Sequence, residues 1–243
     1  ALHFNGSAGL TVSTNDLGNT GTVFNPLTDT DTVGITVSPV NDAPVISRPV
    51  SISTSQDSAV IISAANMNGV SIADVDLGSG RFLVTLSVGQ GTLTLRRTTG
   101  LTFSAGGTGQ SSMSFAGSRT AVNAALDGAT YTPSPGYGGS DTLSVSVNDQ
   151  GNTGTGGPLS DSADIPISVG DVNDAPVLTL ADETVSTDED TLLTFSASNS
   201  NQISVADVDV LQSPGNGRVR VTLSVTSGAL TLSTLNNITI DSG

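Results

Sequence analysis

Twenty of the 22 acidic side chains in this chain are aspartate, and several stand in short groups that recur. Asp74-Val-Asp76 has a counterpart in Asp207-Val-Asp209, and Asn41-Asp42 has one in Asn173-Asp174. Asp closes Asx turns through its own backbone, and it is also a short, stiff oxygen ligand for hard cations. Ca²⁺ takes about 6–8 oxygens at roughly 2.3–2.6 Å from carboxylates, carbonyls and amide oxygens. Carboxylates converging without basic partners repel one another strongly once desolvated, and a divalent cation removes that repulsion. The chemistry suggested is calcium coordination; the competing reading is that these residues only shape loops.

The elements that must position them come from a repeat. Val-Asn-Asp-Ala-Pro-Val occurs at Val40–Val45 and again at Val172–Val177, 132 positions on. Its flanks follow suit: Leu10–Thr22 matches Leu143–Thr155, Val70–Leu77 matches Ile203–Val210, and Val84–Leu95 matches Val221–Leu232. A fixed period marks a tandem array. Residues 46–177 then form one complete unit of about 132 residues. Residues 1–45 form the C-terminal part of a preceding unit, and 178–243 the N-terminal part of a following one.

Within the complete unit, short β-branched alternating runs are separated by Gly, Asn, Asp and Pro, the pattern of an antiparallel β-sandwich. The runs predict strands over 50–54, 59–64, 81–88, 92–97, 101–104, 112–115, 129–132, 142–148 and 162–169. Leu143, Val145 and Val147 alternate with serines, which gives one buried and one wet face. Gly89-Gln90-Gly91 reads as a tight hairpin. Arg119–Asp127 breaks the β pattern with helical spacing of Val122, Ala125 and Leu126, capped by Ser118 or Thr120 and ended by Gly128.

In such a sandwich the loops gather at its two ends. The Asn-Asp-Ala-Pro linker leaves one unit and meets the loop carrying Asp74 and Asp76, and the loop carrying Asn148 and Asp149. Pro44 and Pro176 suit a stiff connector. A first junction would use Asn41, Asp42, Asp74, Asp76 and Asp149. A second would use Asp171, Asn173, Asp174, Asp207 and Asp209, with Asp141 from the lower end of the middle unit. Pro39 stands where Asp171 stands, and Ala8 where Asp141 stands, so the first junction has fewer acidic ligands. Gln56-Asp57 replaces Glu189-Asp190. Unequal occupancy of the two junctions is expected.

The linker Asp171-Val-Asn-Asp-Ala-Pro, the Asp207-Val-Asp209 pair and the Thr130-Tyr-Thr-Pro…Gly-Gly-Ser-Asp-Thr-Leu stretch together resemble the tandem cadherin-like repeats of giant bacterial surface proteins and RTX-type adhesins. The resemblance covers essentially the whole chain. It implies an all-β, immunoglobulin-like fold, an acidic ligand in the region where Gln56 stands, and calcium-stiffened repeats outside the cell.

Composition narrows the alternatives. The net charge is −15, which repels phosphate backbones and makes nucleic acid an unfavourable partner. There is no cysteine for a disulfide and no lysine for an isopeptide cross-link; all seven basic residues are arginine. No apolar run approaches the ~20 residues of a membrane span. His3 is the only histidine, so a Ser-His-Asp triad or a His-based zinc site is not expected, and the chain reads as a non-enzyme. Adjacent acidic side chains at 188–190 point to opposite faces of a strand and make a poor glycosidase pair. Asp16-Leu-Gly-Asn-Thr-Gly and Asp149-Gln-Gly-Asn-Thr-Gly lack the spacing of a calcium loop and read as turns. The expected role is a rigid extracellular spacer in cell or surface attachment. The alternatives are a subunit of a calcium-dependent filament or sheath, with homotypic contacts, and a carbohydrate-binding accessory module, for which 3% aromatic residues leave few stacking platforms.

Overall fold

The computed structural model describes residues 2–18, 25–151, 153–211 and 217–240, the side chain of residue 211 excepted. The parts of the two Asp-x-Gly-Asn-Thr-Gly turns at 19–21 and 152 lie outside the described residues. The chain divides into two units, Ala1–Val172 and Asn173–Gly243. Residues 1–45 thus cluster with the complete sandwich, and the division falls inside the second Val-Asn-Asp-Ala-Pro-Val copy.

In the first unit, β1 (Gly6–Asn15) and β2 (Thr28–Val37) form an antiparallel ribbon, in register from Gly6↔Val37 to Asn15↔Thr28. Then come β3 (Val45–Ser47), β4 (Ile52–Ser55), β5 (Val60–Ile62), a 3₁₀ turn at Ala64–Asn66, and β6 (Ser71–Ala73). They are followed by β7 (Phe82–Ser87), β8 (Gly91–Thr94), β9 (Leu101–Gly106) and β10 (Ser112–Gly117). Helix α1 (Arg119–Leu126), β11 (Ala129–Pro133), β12 (Gly139–Asn148) and β13 (Ser160–Gly170) complete the unit. Six strands pair in the order β4-β13-β12-β7-β10-β9, and three in the order β5-β11-β8. All pairings are antiparallel except β4 with β13. The fold is mostly β, with sandwich-like sheets and one α-helix among the described residues.

Alternation decides which faces close. Phe82, Val84 and Leu86 of β7, Leu143, Val145 and Val147 of β12, and Ile165, Ile167 and Val169 of β13 are all buried. Ile62, Leu93 and Tyr131 of the smaller sheet join them in one core. The intervening serines and threonines of the larger sheet face outward, for example Ser146 beside Thr85 and Ser162. Every predicted strand is present within two or three residues. Within the sandwich, the strands that the pattern does not predict are β3 and β6, three residues each and paired with each other.

Helix α1 follows the local signals. The Ser118 hydroxyl accepts from the Ala121 amide at its start, and Gly128 takes φ +99° just beyond its end. Its buried face carries Val122, Ala125 and Leu126. Asn123, half-buried at the flank of that face, bonds both the N–H and C=O of Ile72, at 2.8 and 2.9 Å. The helix thereby holds β6, which leads directly into Asp74.

The second unit contains β14 (Val177–Leu180), a 3₁₀ turn at Ala197–Asn199, β15 (Ile203–Ala206) and a 3₁₀ turn at Asp209–Leu211. Strands β14 and β15 pair antiparallel from Val177↔Ala206 to Leu180↔Ile203. No described helix is long and apolar enough to cross a membrane.

Candidate metal centre

Asp74 and Asp76 sit in the turn that leaves β6 for β7. Asp74 folds it: its Oδ1 accepts the amides of Asp76 and Leu77 at 3.1 and 3.2 Å, an Asx turn. Leu77 and Ile72, both buried, pin the two ends of the turn in the core. The Asp74 side chain is thereby carried inward, to 5% exposure. One oxygen of each carboxylate, Asp74 Oδ2 and Asp76 Oδ1, is buried without a hydrogen-bond partner. Burial is the main influence raising the Asp74 carboxyl above its ordinary range, and the neighbouring Asp76 side chain adds to it. Arg119 approaches from α1, but donates to the Asp74 carbonyl at 3.3 Å.

The linker passes directly over this turn. The Asp42 amide donates to Asp76 Oδ2 at 3.1 Å. Asn41 is buried, and its Nδ2 donates to Asp149 Oδ2 at 2.6 Å and to the Gly157 carbonyl at 2.9 Å. The loop between β12 and β13 receives the linker backbone: Asn41 N–H donates to Thr155 O, and Thr155 N–H to Pro39 O. The fit requires glycine at 154, where φ is +78° and a Cβ would stand 2.6 Å from the Asn41 nitrogen. Thr153 adds a hydroxyl bond to the Asp76 carbonyl.

All five residues of the first junction are therefore brought together, in different roles. Asp149 is a loop organiser, its Oδ1 accepting the amides of Gly151 and Leu159. Burial tends to raise its carboxyl, but those donors and Asn41 outweigh it and hold the group below the ordinary value. Asp42 turns its carboxylate to His3 Nδ1, 2.8 Å away. Asp74 and Asp76 are left as the pair with unsatisfied oxygens.

Several of the same contacts recur in the second unit. The Asp209 amide donates to Asp207 Oδ1 at 3.0 Å, the Asp174 amide donates to Asp209 Oδ2, and Asp209 Oδ1 is buried without a partner. Asn173 donates its Nδ2 to the Asp174 carbonyl at 3.2 Å. The scaffold before it also recurs. Ser63 and Ser196 cap the two 3₁₀ turns, and Asn68 and Asn201 each accept from that serine's amide at 2.9 Å.

Asp141 and Asp171 belong to the first unit. Asp141 Oδ1 accepts from Gly89 and Thr142, and its Oδ2 accepts from Gln90 and the Tyr131 hydroxyl, all within 2.9 Å. Burial works against ionisation there, yet the four donors prevail and keep the carboxyl below its ordinary value. With both oxygens engaged, Asp141 is a structural anchor for the β7–β8 hairpin, a role its sequence context did not signal. The Asp171 carboxylate lies against Gly138, where a Cβ would meet Oδ1 at 2.5 Å. Gln56, expected as a weakened ligand, is buried and accepts the Val172 amide on Oε1 at 3.1 Å.

His3 and Thr153 escaped sequence reasoning. His3 was visible only as a lone histidine, and its approach to Asp42 depends on where the ribbon begins. Among the described residues, no group of three or more His, Cys, Asp or Glu side chains is gathered tightly enough to hold a metal ion. The centre is instead the Asp74–Asp76 pair, each with one buried oxygen that lacks a hydrogen-bond partner, beside the linker's Asp42, whose carboxylate pairs with His3. No family model and no curated protein matches the chain.

Proposed function

We propose that this chain is a calcium-stiffened, extracellular repeat segment of a long bacterial surface protein or adhesin, a cadherin-like spacer that holds an attachment site away from the cell. The observation that supports it is the pair of buried, unpartnered oxygens on Asp74 and Asp76, with a third on Asp209 in the corresponding turn. A buried unsatisfied acceptor costs about 1–3 kcal/mol, more when charged, so two side by side are a standing liability in the ion-free protein. A hard divalent cation removes it, because Ca²⁺ accepts carboxylate and carbonyl oxygens in flexible geometry.

Asp74 and Asp76 would hold the ion, joined by Asp42 once it turns from His3. In the second unit Asp207, Asp209 and Asp174 take the same parts. Bound calcium supplies charge neutralisation and cross-links the linker to the β6–β7 turn. This chain's own residues do the rest: Asn41 fastens the linker to Asp149, and the Gly154 loop seats its backbone. Asp141 stays out of the ligand set because its oxygens are already used. The acidic, lysine-free composition suits a solvated spacer.

Calcium titration followed by calorimetry, with small-angle scattering in calcium and in EDTA, tests this function. Saturable binding, a rise in melting temperature and a stiffer particle in calcium are expected. Identical melting and scattering in both buffers would refute it.

A further inference from the structure

Arg119 stands where local rules disfavour it. It opens α1, whose first turn holds no acidic residue, and the positive end of a helix dipole repels a cation there. Basic residues are scarce in this chain, seven against 22 acidic ones, so one set against a helix N-terminus calls for a reason. Ser118 caps the helix, and Asn123 fastens it to both backbone groups of Ile72, in the strand that leads into Asp74. The start of α1 is thereby fixed beside the β6–β7 turn. There the Arg119 guanidinium donates to the Asp74 carbonyl at 3.3 Å. It is not ion-paired with the Asp74 or Asp76 carboxylate, although each of these keeps a buried oxygen without a hydrogen-bond partner. A positive charge thus sits next to the carboxylate pair without occupying it.

Such a charge acts on both states of the site. In the ion-free protein it eases, without removing, the repulsion between the two carboxylates, and it repels a divalent cation that settles between them. Both effects weaken binding. We propose, on the calcium reading of this junction, that Arg119 sets its affinity. It is a fixed charge outside the ligand set that keeps calcium binding weak, near the dissociation constants of about 10⁻⁴–10⁻³ M seen in extracellular modules. The joint then stiffens only where calcium is plentiful. The Arg119 side chain is exposed, so solvent and salt screen its field. Removing the charge should therefore tighten binding by about threefold to tenfold, not by orders of magnitude. A brace would do the reverse: if the bond to the Asp74 carbonyl only positioned the turn, its loss would loosen the site.

Full-length chains carrying Arg119→Lys, Arg119→Gln and Arg119→Glu separate charge from bracing. Each is compared with Arg119 in a D207N/D209N background, which silences the corresponding turn of the second unit, so that calcium calorimetry reads the first junction. Circular dichroism verifies that every chain keeps the β-sheet signal. Lysine should bind calcium as arginine does, glutamine about threefold to tenfold more tightly, and glutamate more tightly still. The gap between arginine and glutamine should shrink toward parity in about 1 M salt, where the screening length falls to about 3 Å. Glutamine or glutamate binding no more tightly than arginine, lysine behaving like glutamine, or a gap undiminished by salt would each overturn this role while leaving the calcium reading standing. No calcium binding in any of the four chains would refute the calcium reading of the junction, and the role of Arg119 with it.

Discussion

Asp74→Asn separates a metal site from a merely folded loop, because it should change sign with calcium. Asp74 Oδ1 holds the amides of Asp76 and Leu77, and an asparagine Oδ1 keeps both. Oδ2 has no partner and faces a second carboxylate whose own Oδ1 has none. Replacing it with an NH₂ group removes an uncompensated buried charge and offers Asp76 a donor. An unsatisfied buried acceptor is worth about 1–3 kcal/mol, so the ion-free variant should gain about 1–2 kcal/mol. For a unit of this size each kcal/mol moves Tm by about 2–4 °C, which predicts a rise of about 3–6 °C in EDTA. In calcium the order reverses. At a hundred times Kd, ligand linkage stabilises the unmodified chain by about 2.7 kcal/mol, and a variant without a charged ligand at 74 forfeits most of it. Differential scanning calorimetry of both proteins in both buffers gives the four melting temperatures. Asp74→Asn destabilising the chain equally with and without calcium would show that Asp74 is only a turn former, and the reasoning would fail.

Tyr131→Phe should lower stability by about 1–2 kcal/mol through the lost bond to the buried Asp141, by the same amount in calcium and EDTA; chemical denaturation measures it. The ion-free chain should show a two-phase acid response. The raised Asp74 group contributes stability that is present at low pH and lost as pH rises through its folded value, so acidification from neutrality should first stabilise the fold. Asp141 and Asp149, whose folded values are depressed, contribute stability present above 3.8 and lost as pH falls through those values, so unfolding follows below. Thermal melts across pH in EDTA follow both phases, and saturating calcium should abolish the first.

Much of this architecture is legible in local residue order. The alternation of Leu143, Val145 and Val147 specifies the buried face of β12, and Ser118 with Gly128 brackets α1, because those effects act over a few residues. Strands β3 and β6 are too short for alternation to register, and β6 is fixed by residues distant in sequence, its partner β3 and Asn123, some fifty positions away. The acidic groups were visible as groups, but not their division of labour. Asp74 and Asp141 look alike in sequence. Asp141 is satisfied by Gly89 and Gln90 across a hairpin and by Tyr131 across the core, while Asp74 keeps an open oxygen. Local turns satisfy the first oxygen of Asp74, but whether the second oxygen of either carboxylate finds a partner is decided by distant chain segments.

The parallel pairing of β4 with β13 has a mechanical consequence. Strand β4 lies near the front of the sandwich sequence and β13 at its end, and they run alongside from Ile52↔Ile167 to Ser55↔Gly170. The Gln56 amide extends the seam to the Gly170 carbonyl at 2.7 Å, and Gln56 Oε1 then catches the Val172 amide. Tension applied at residues 51 and 171 would pull these two strands past each other along their length. Every bond of the seam is then loaded at once in shear, whereas an antiparallel hairpin pulled at its open end would unzip one bond at a time. Resistance to traction is thus lodged in a four-residue seam closed by a neutral glutamine, at the opposite end of the chain's logic from its carboxylates.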